Sequence, residues 1–364
     1  MKVKDITKSL QEWAPLSLQE SFDNAGLIIG NDEMPLTGCL ITLDVTEEII
    51  DEALNKGCNL IIAHHPIIFK GIKKLSGDHW ITRCLIKAIK NDVAIYAIHT
   101  NLDNILSGVN SRIADLLGLK DRQVLRGIPN TLLKLVVFVP ITERRTMLAA
   151  LHKAGAGNIG AYEQCSFQII GEGTFLPTER ANPTVGDINL LTSVQENRIE
   201  VILPSHKKES VLKAMHETHP YEEVAYYLTP LDNYQQEIGS GLIGQLDKPI
   251  ASTQFINTLK SDLNLKSIRH TKLIKTHIEW VAICGGSGSF LLTDALGFGA
   301  DIFISADFKY HEFFEADDKI TIADIGHYES EVLTKELLSD FLREKFTNIA
   351  VHLAEVITNP IIYS

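Results

Sequence analysis

No run in this 364-residue chain is apolar for long enough to cross a bilayer. The first residues, Met1-Lys2-Val3-Lys4-Asp5-Ile6, lead into a polar amphipathic stretch with no apolar export-signal core. A protein that stays in the cytoplasm where it is made is therefore expected. No C-x-x-C pair occurs among the five cysteines, Cys39, Cys58, Cys84, Cys165 and Cys284. Their odd number and scatter argue for reduced thiols and against a disulfide scaffold. Basic patches are missing too. Only Lys207-Lys208 and Arg144-Arg145 stand out, both read as solvated helix faces, and the net charge of -12 repels nucleic acid backbones and anionic lipid. No internal repeat is strong enough for a solenoid, since the echo of Gly26-Leu27-Ile28-Ile29-Gly30 in Gly241-Leu242-Ile243-Gly244 is short.

What is present is an ordinary globular balance, 45% hydrophobic and 22% charged residues, in a length that suits about two to three domains. The first third alternates β-branched runs with helical patterns, as a sheet wound with crossover helices does. Strands are expected at Gly38 to Leu43, Leu60 to Ala63 and Val93 to Ile98, and helices at Glu47 to Lys56, Trp80 to Lys90 and Ser107 to Leu117. The strands are near-continuously apolar, so both faces should be covered.

The rhythm changes between about Leu125 and Gln236. Strands at Leu132 to Val139, Cys165 to Gly171, Arg198 to Leu203 and Val224 to Leu228 alternate with helices at Thr142 to Lys153 and His206 to His216. That order, β-α-β-β-α-β, is the ferredoxin-like split unit. Glu172 to Gly186, with Pro177, Pro183 and several glycines, reads as a long hairpin or loop within it. From Gly239 the first rhythm resumes, with strands at Glu279 to Ile283, Asp301 to Ser305 and Lys319 to Ala323 and a last helix from about His327 to Lys345. The expected architecture is a wound α/β unit formed by residues 1–124 and 237–364 around a single sheet, interrupted by a ferredoxin-like α+β insert at 125–236.

Chemistry gathers where those strands end. His64 and His65 close the run Leu60-Ile61-Ile62-Ala63 and precede Pro66; Asp103 follows the strand Val93 to Ile98 in His99-Thr100-Asn101-Leu102-Asp103; His327 and Glu331 follow Lys319 to Ala323 in Gly326-His327-Tyr328-Glu329-Ser330-Glu331. Carboxyl ends of strands are where open α/β sheets build sites. A helix starting near His327 would project His327 and Glu331 from one face, one turn apart. Singly, each group reads as a cap or a solvated pair: Asp103 or Asn101 closing a turn, Glu331 near a helix start. Jointly, three imidazoles and two carboxylates exceed what one catalytic zinc needs and suit two metals sharing a carboxylate. Donors of nitrogen and oxygen without thiolate fit Zn, Mn, Fe or Co, with zinc the first expectation.

With these residues in view, the chain resembles the NIF-three-like proteins, often named GTP cyclohydrolase type-two homologues. The resemblance runs through Glu20-Ser21-Phe22-Asp23-Asn24-Ala25-Gly26-Leu27, Thr42-Leu43-Asp44-Val45-Thr46, Ala63-His64-His65-Pro66, His99-Thr100-Asn101-Leu102-Asp103 and Gly326-His327-Tyr328-Glu329-Ser330-Glu331. It implies two divalent ions per chain, one held by His65 and Asp103, the other by His64 and His327, with Glu331 bridging. The insert, through Gly155 to Tyr162, Cys165-Ser166-Phe167 and His219-Pro220-Tyr221-Glu222-Glu223, is similar to the extra domain of longer members, which implies a toroidal homohexamer. The name implies GTP as substrate of a metal-dependent hydrolase, although no guanine-specific motif is visible. The rival from another class is a metal-binding regulatory or metal-handling assembly without turnover.

Other motifs carry less. Gly155-x-Gly157-x-x-Gly160 follows a helix and precedes a strand, the reverse of the dinucleotide-binding context, and reads as tight turns. The backbone of Cys284-Gly285-Gly286-Ser287-Gly288-Ser289 could cradle an anion or allow close packing. Asp307, Lys309 and His311 resemble a family segment facing the metal crevice, with a solvated helix start as the alternative. His216, His219, Glu222 and Glu223 could form a second, weaker ion site, with a surface cluster the stronger reading.

Overall fold

Near-continuous apolar strands need cover on both faces, and here they receive it. All four residues of Leu60–Ala63 are fully buried, as are those of Ala94–Ala97. The computed structural model describes residues 1–364 and divides them into two units, one of Met1–Arg126 with Glu237–Ser364 and one of Gly127–Gln236.

The first unit is mixed α/β and holds two sheets. The five-stranded sheet runs Gly26–Ile29, Ala94–Ala97, Leu60–Ala63, Cys39–Thr42, Val351–Leu353. Its last four strands are parallel, in the register Ala97↔Ala63↔Thr42, and Gly26–Ile29 closes one edge antiparallel. The helix Glu47–Asn55, whose Thr46 cap accepts from the Ile49 N–H at 3.3 Å, packs with Trp80–Lys90 over one face, burying Ile49, Ile50, Cys84 and Leu85. The six-stranded sheet runs Arg269–His270, Thr321–Asp324, Ile302–Ala306, His277–Ser287, Gly239–Ala251, Lys120–Gly127. The strands 277–287, 302–306 and 321–324 are mutually parallel; Arg269–His270 and Gly239–Ala251 pair antiparallel to them. Separate apolar clusters cover its two faces.

Two expectations need correction. The terminal segments form two sheets, not one: the chain after the insert builds the second together with Lys120–Gly127, and at Val351–Leu353 it returns to pair with Cys39–Thr42. The last helix is also broken, into His327–Glu331 and Thr334–Lys345. No glycine or proline lies at the break. Instead, the Ser330 hydroxyl donates to the His327 carbonyl and accepts from the Gly286 N–H, which ties the short helix to the strand His277–Ser287.

The second unit is an antiparallel sheet in the order Phe167–Phe175, Thr192–Pro204, Leu132–Pro140, Tyr226–Pro230. The helices Arg144–Lys153 and Lys208–Thr218 pack against it and bury Met147, Leu151, Val211 and Met215 on Leu135, Val137 and Val201. Of Glu172 to Gly186, read as a hairpin or loop, the first four residues belong to the strand Phe167–Phe175, and the remainder lies in the connection to Thr192–Pro204. All five cysteines are free. No helix is long and apolar enough to cross a membrane.

Candidate metal centre

The parallel strands of the five-stranded sheet end side by side, and their ends carry polar residues into one crevice. The chain bends at His64 and His65, so both rings turn the same way instead of alternating, with centroids 5.0 Å apart. Beyond Ala94–Ala97, the buried Asn101 accepts from the His99 N–H at 3.0 Å and donates to the Ala14 carbonyl at 2.7 Å. Asn101 thus does the capping, and Asp103 faces the histidines, its Oδ1 3.6 Å from His64 Nε2. The other side comes from the six-stranded sheet. Thr321–Asp324 ends at Gly326, whose φ of +94° suits glycine, and the helix His327–Glu331 begins at once.

All five sequence-predicted residues converge. Glu331 is buried at the centre: its Oε2 lies 2.9 Å from His65 Nε2 and 3.0 Å from His327 Nε2, and its Oε1 lies 3.8 Å from His64 Nε2. His65 Nε2 and His327 Nε2 are 3.4 Å apart. These distances group His65 with His327 on one carboxylate oxygen, and His64 with Asp103 near the other. The resemblance implies another pairing, His65 with Asp103 and His64 with His327. In either pairing Glu331 stands between.

Each imidazole is anchored through Nδ1. His64 Nδ1 bonds the Ile98 carbonyl at 2.8 Å, His65 Nδ1 bonds Asp44 Oδ1 at 2.8 Å, and His327 Nδ1 bonds Asp307 Oδ2 at 2.7 Å. A fourth ring, His99, bonds Asp23 Oδ1 through Nδ1 at 2.8 Å, and one of its nitrogens falls within 4.8 Å of donor atoms of His64 and His65. Anchoring one ring nitrogen fixes the orientation of the other, which is how proteins present imidazole to a metal. The inward nitrogen of His64, Nε2, is buried without a hydrogen-bond partner. A buried polar atom left unpaired is costly, and a cation on that lone pair would satisfy it. The donors therefore fit a metal.

Without an ion the charges balance internally. Burial opposes ionisation of Glu331, yet the hydrogen bonds from His327 and His65 hold it well below the ordinary carboxylate range. Burial and the charge of Glu331 push Asp103 well above that range. Burial also disfavours charge on His65, but Asp44 and Glu331 raise it to about 10; hydrogen bonding to Glu331 lifts His327 to about 9 against its own burial. Burial lowers His64.

His99, Asp23 and Asp44 were not among the ligands expected from the sequence. Their signal was present: His99 starts the same strand-end motif as Asp103, and Asp44 follows the strand Cys39–Thr42, next to the histidine strand in the sheet. Asp307 holds His327, whereas Lys309 and His311 make no hydrogen bond to the five; His311 sits beside the Tyr310 and Phe314 rings. Two N–H groups of the glycine-rich segment are spent within the protein. The Gly285 and Gly286 N–H groups donate to Asn110 Oδ1 and Ser330 Oγ, and a Cβ on Gly286 would lie 2.2 Å from Glu331 Oε1. Close approach is the reason for glycine there. In the insert, His219 spends both nitrogens, on the Phe138 carbonyl and the Tyr221 N–H, so it offers no lone pair to an ion.

The sequence profile of the Duf34/NIF3 (NGG1p interacting factor 3) family matches residues 1–360. The chain belongs to that family. A relative from Halalkalibacterium halodurans, named GTP cyclohydrolase 1 type 2 homolog, is 40% identical over 362 residues, 98% of this chain and 97% of the relative. A Bacillus subtilis protein of the same name is 34% identical over 98% of this chain and 97% of its own length. Among solved structures, a Bacillus cereus protein related to NIF3 shares 37% identity and a TM-score of 0.88 over 100% of this chain and 99% of its own. A Duf34/NIF3 chain thus brings four imidazoles and two carboxylates together at the facing ends of two sheets.

Proposed function

We propose that this protein is a dinuclear metal-dependent hydrolase whose ions are held by His64, His65, Asp103, His327 and Glu331. The observation that carries this reading is the set of imidazoles fixed through Nδ1 around one buried carboxylate, with His64 Nε2 left unpaired. His65 and His327 would hold one ion and His64 and Asp103 the other, with Glu331 serving both. Two divalent ions, zinc first and Mn, Fe or Co as alternatives, would supply Lewis-acid polarisation of the scissile bond and activation of water.

The chain's own residues do the positioning. Asp44, Asp307 and the Ile98 carbonyl keep each Nε2 aimed inward, so little reorganisation is required on binding. His99, oriented by Asp23 and unspent at Nε2, is the proton-carrying group at the edge of the cluster. Phe69, half exposed and edge-on to His99 at 5.7 Å, supplies an apolar wall. GTP is the first substrate to try, on the strength of the name its relatives bear. The α/β unit carrying the site, the ferredoxin-like reading of the insert, the toroidal homohexamer and the cytoplasmic location belong to the same proposal. Metal-loaded protein assayed on nucleotides, phosphoesters and cyclic amides tests it: turnover should depend on metal and vanish in His65→Ala and Asp103→Ala. Absence of metal-dependent turnover across the panel would favour the metal-handling reading.

A further inference from the structure

The last seven residues are not an idle tail. The Thr358 hydroxyl donates to Asp44 Oδ2 at 2.8 Å, while Asp44 Oδ1 holds His65 Nδ1 at the same distance. One residue on, Asn359 Nδ2 donates to Glu329 Oε1 at 3.0 Å. Glu329 lies in the short helix between His327 and Glu331, and its other oxygen crowds Gly326 together with the Tyr363 hydroxyl: a Cβ on Gly326 would meet them at 2.3 and 2.9 Å. The tail therefore grips both halves of the cluster, the Asp44–His65 arm from one sheet and the helix bearing His327 and Glu331 from the other.

We infer that Thr358 to Tyr363 form a clamp that sets the cluster's geometry, with Thr358 a positioning residue acting through Asp44. The inference rests on the metal reading for its consequence, but its structural content does not. An aspartate that orients an imidazole must itself be held, and Asp44 is more than a third exposed on its side chain. Thr358 is the side chain that fixes its second oxygen. Ile361 and Ile362 are exposed, so the polar contacts at Thr358, Asn359 and Tyr363, rather than apolar burial, hold the tail down.

The test uses the full-length chain with zinc and cobalt as probes. Thr358→Val should weaken zinc binding about three- to tenfold in competition with a chromophoric chelator, the worth of one partly exposed hydrogen bond to a charged acceptor. It should also alter the visible spectrum of the cobalt-loaded protein, and Thr358→Ser should restore both. Asp44→Asn should cost about 10–100-fold, and adding Thr358→Val to it should cost nothing more if Thr358 acts through Asp44. Hydrogen exchange of the metal-free protein supplies an arm that needs no ion. Stopping the chain after Ile357 should speed exchange at 326–331. Unchanged exchange there would overturn the clamp even if metal bound normally. Faster exchange in a chain that bound no metal would keep the clamp and overturn only the metal reading. Zinc affinity and spectrum unchanged by Thr358→Val would remove Thr358 from the positioning role.

Discussion

Replacing Glu331 with glutamine is the sharpest perturbation of the centre. The side chain is 3% exposed, and its two oxygens face three imidazoles at 2.9, 3.0 and 3.8 Å. Glutamine keeps the shape but removes the charge, and it turns an NH2 toward one side of the cluster. In the proposed centre, any single histidine change would remove one donor from one ion, whereas this change would remove the group shared by both. Loss of an outer partner of a ligand typically costs about 10–100-fold in metal affinity, so losing the shared carboxylate should cost more than about 100-fold for each ion. A second effect appears without metal. Breaking a buried ion pair costs about 3–5 kcal/mol when the remaining charge stays buried. His65 and His327 can escape part of that by losing their protons, so the metal-free variant should be destabilised most at acid pH and least in alkali. Elemental mass spectrometry of the purified variant, with thermal melts of the chelator-treated form across pH, reads both effects. Retention of two ions per chain would refute the shared-carboxylate assignment.

Gly286→Ala should mimic that loss, because its Cβ would arrive 2.2 Å from Glu331 Oε1 at a φ of +63°; zinc affinity equal to wild type would show that the approach is not needed. In the metal-free protein, the folded-state values of His65, about 10, and His327, about 9, lie above the ordinary imidazole value of 6.5. Their contribution to stability is therefore complete below about pH 6.5 and is lost as pH rises through 9 to 10, so the melting temperature of chelator-treated protein should fall over that window while the metal-loaded form changes less. Zinc binding at pH 7.5 should release protons, those of His65 and His327 among them, measurable by calorimetry in buffers of different ionisation enthalpy. Excising residues 127–236 and joining the ends by a short flexible linker should leave the metal count unchanged. Arg126 and Gly239 lie together, since a Cβ on Gly239 would sit 2.1 Å from the Arg126 carbonyl, and every proposed ligand is in the other unit. A shortened chain that folded but lost its metal would show that part of the site lies elsewhere.

The strands that bear the site were the most legible part of the sequence, because their apolar runs leave little choice of element. Leu60–Ala63 matches its expected span, and Cys39–Thr42, Ala94–Ala97 and Thr321–Asp324 fall within or beside theirs. Lys120–Gly127 was missed: Lys-Asp-Arg-Gln-Val-Leu-Arg-Gly has one fully buried residue, Leu125, and its place in the sheet comes from neighbours distant in sequence. Gly239–Ala251 was visible only as a short echo, since its glycines and Pro249 disguise a 13-residue strand. These two, with the return at Val351–Leu353, decide that there are two sheets, and no local pattern records that pairing. The candidate ligands were legible for the opposite reason. His64, His65, Asp103, His327 and Glu331 all sit at strand ends, where polar residues interrupt apolar runs. The anchors Asp23, Asp44 and Asp307 also look like ordinary turn residues, and only the folded distances separate the two roles.

The metal content of protein purified without added chelator tests the central claim most directly. Elemental analysis combined with an accurate protein concentration should give two divalent ions per chain for the wild type, and fewer for His65→Ala and His327→Ala, with all three proteins folded by circular dichroism. A folded wild-type protein that held no ion after dialysis against zinc, or that bound zinc equally well when His65 and His327 were both alanine, would contradict it.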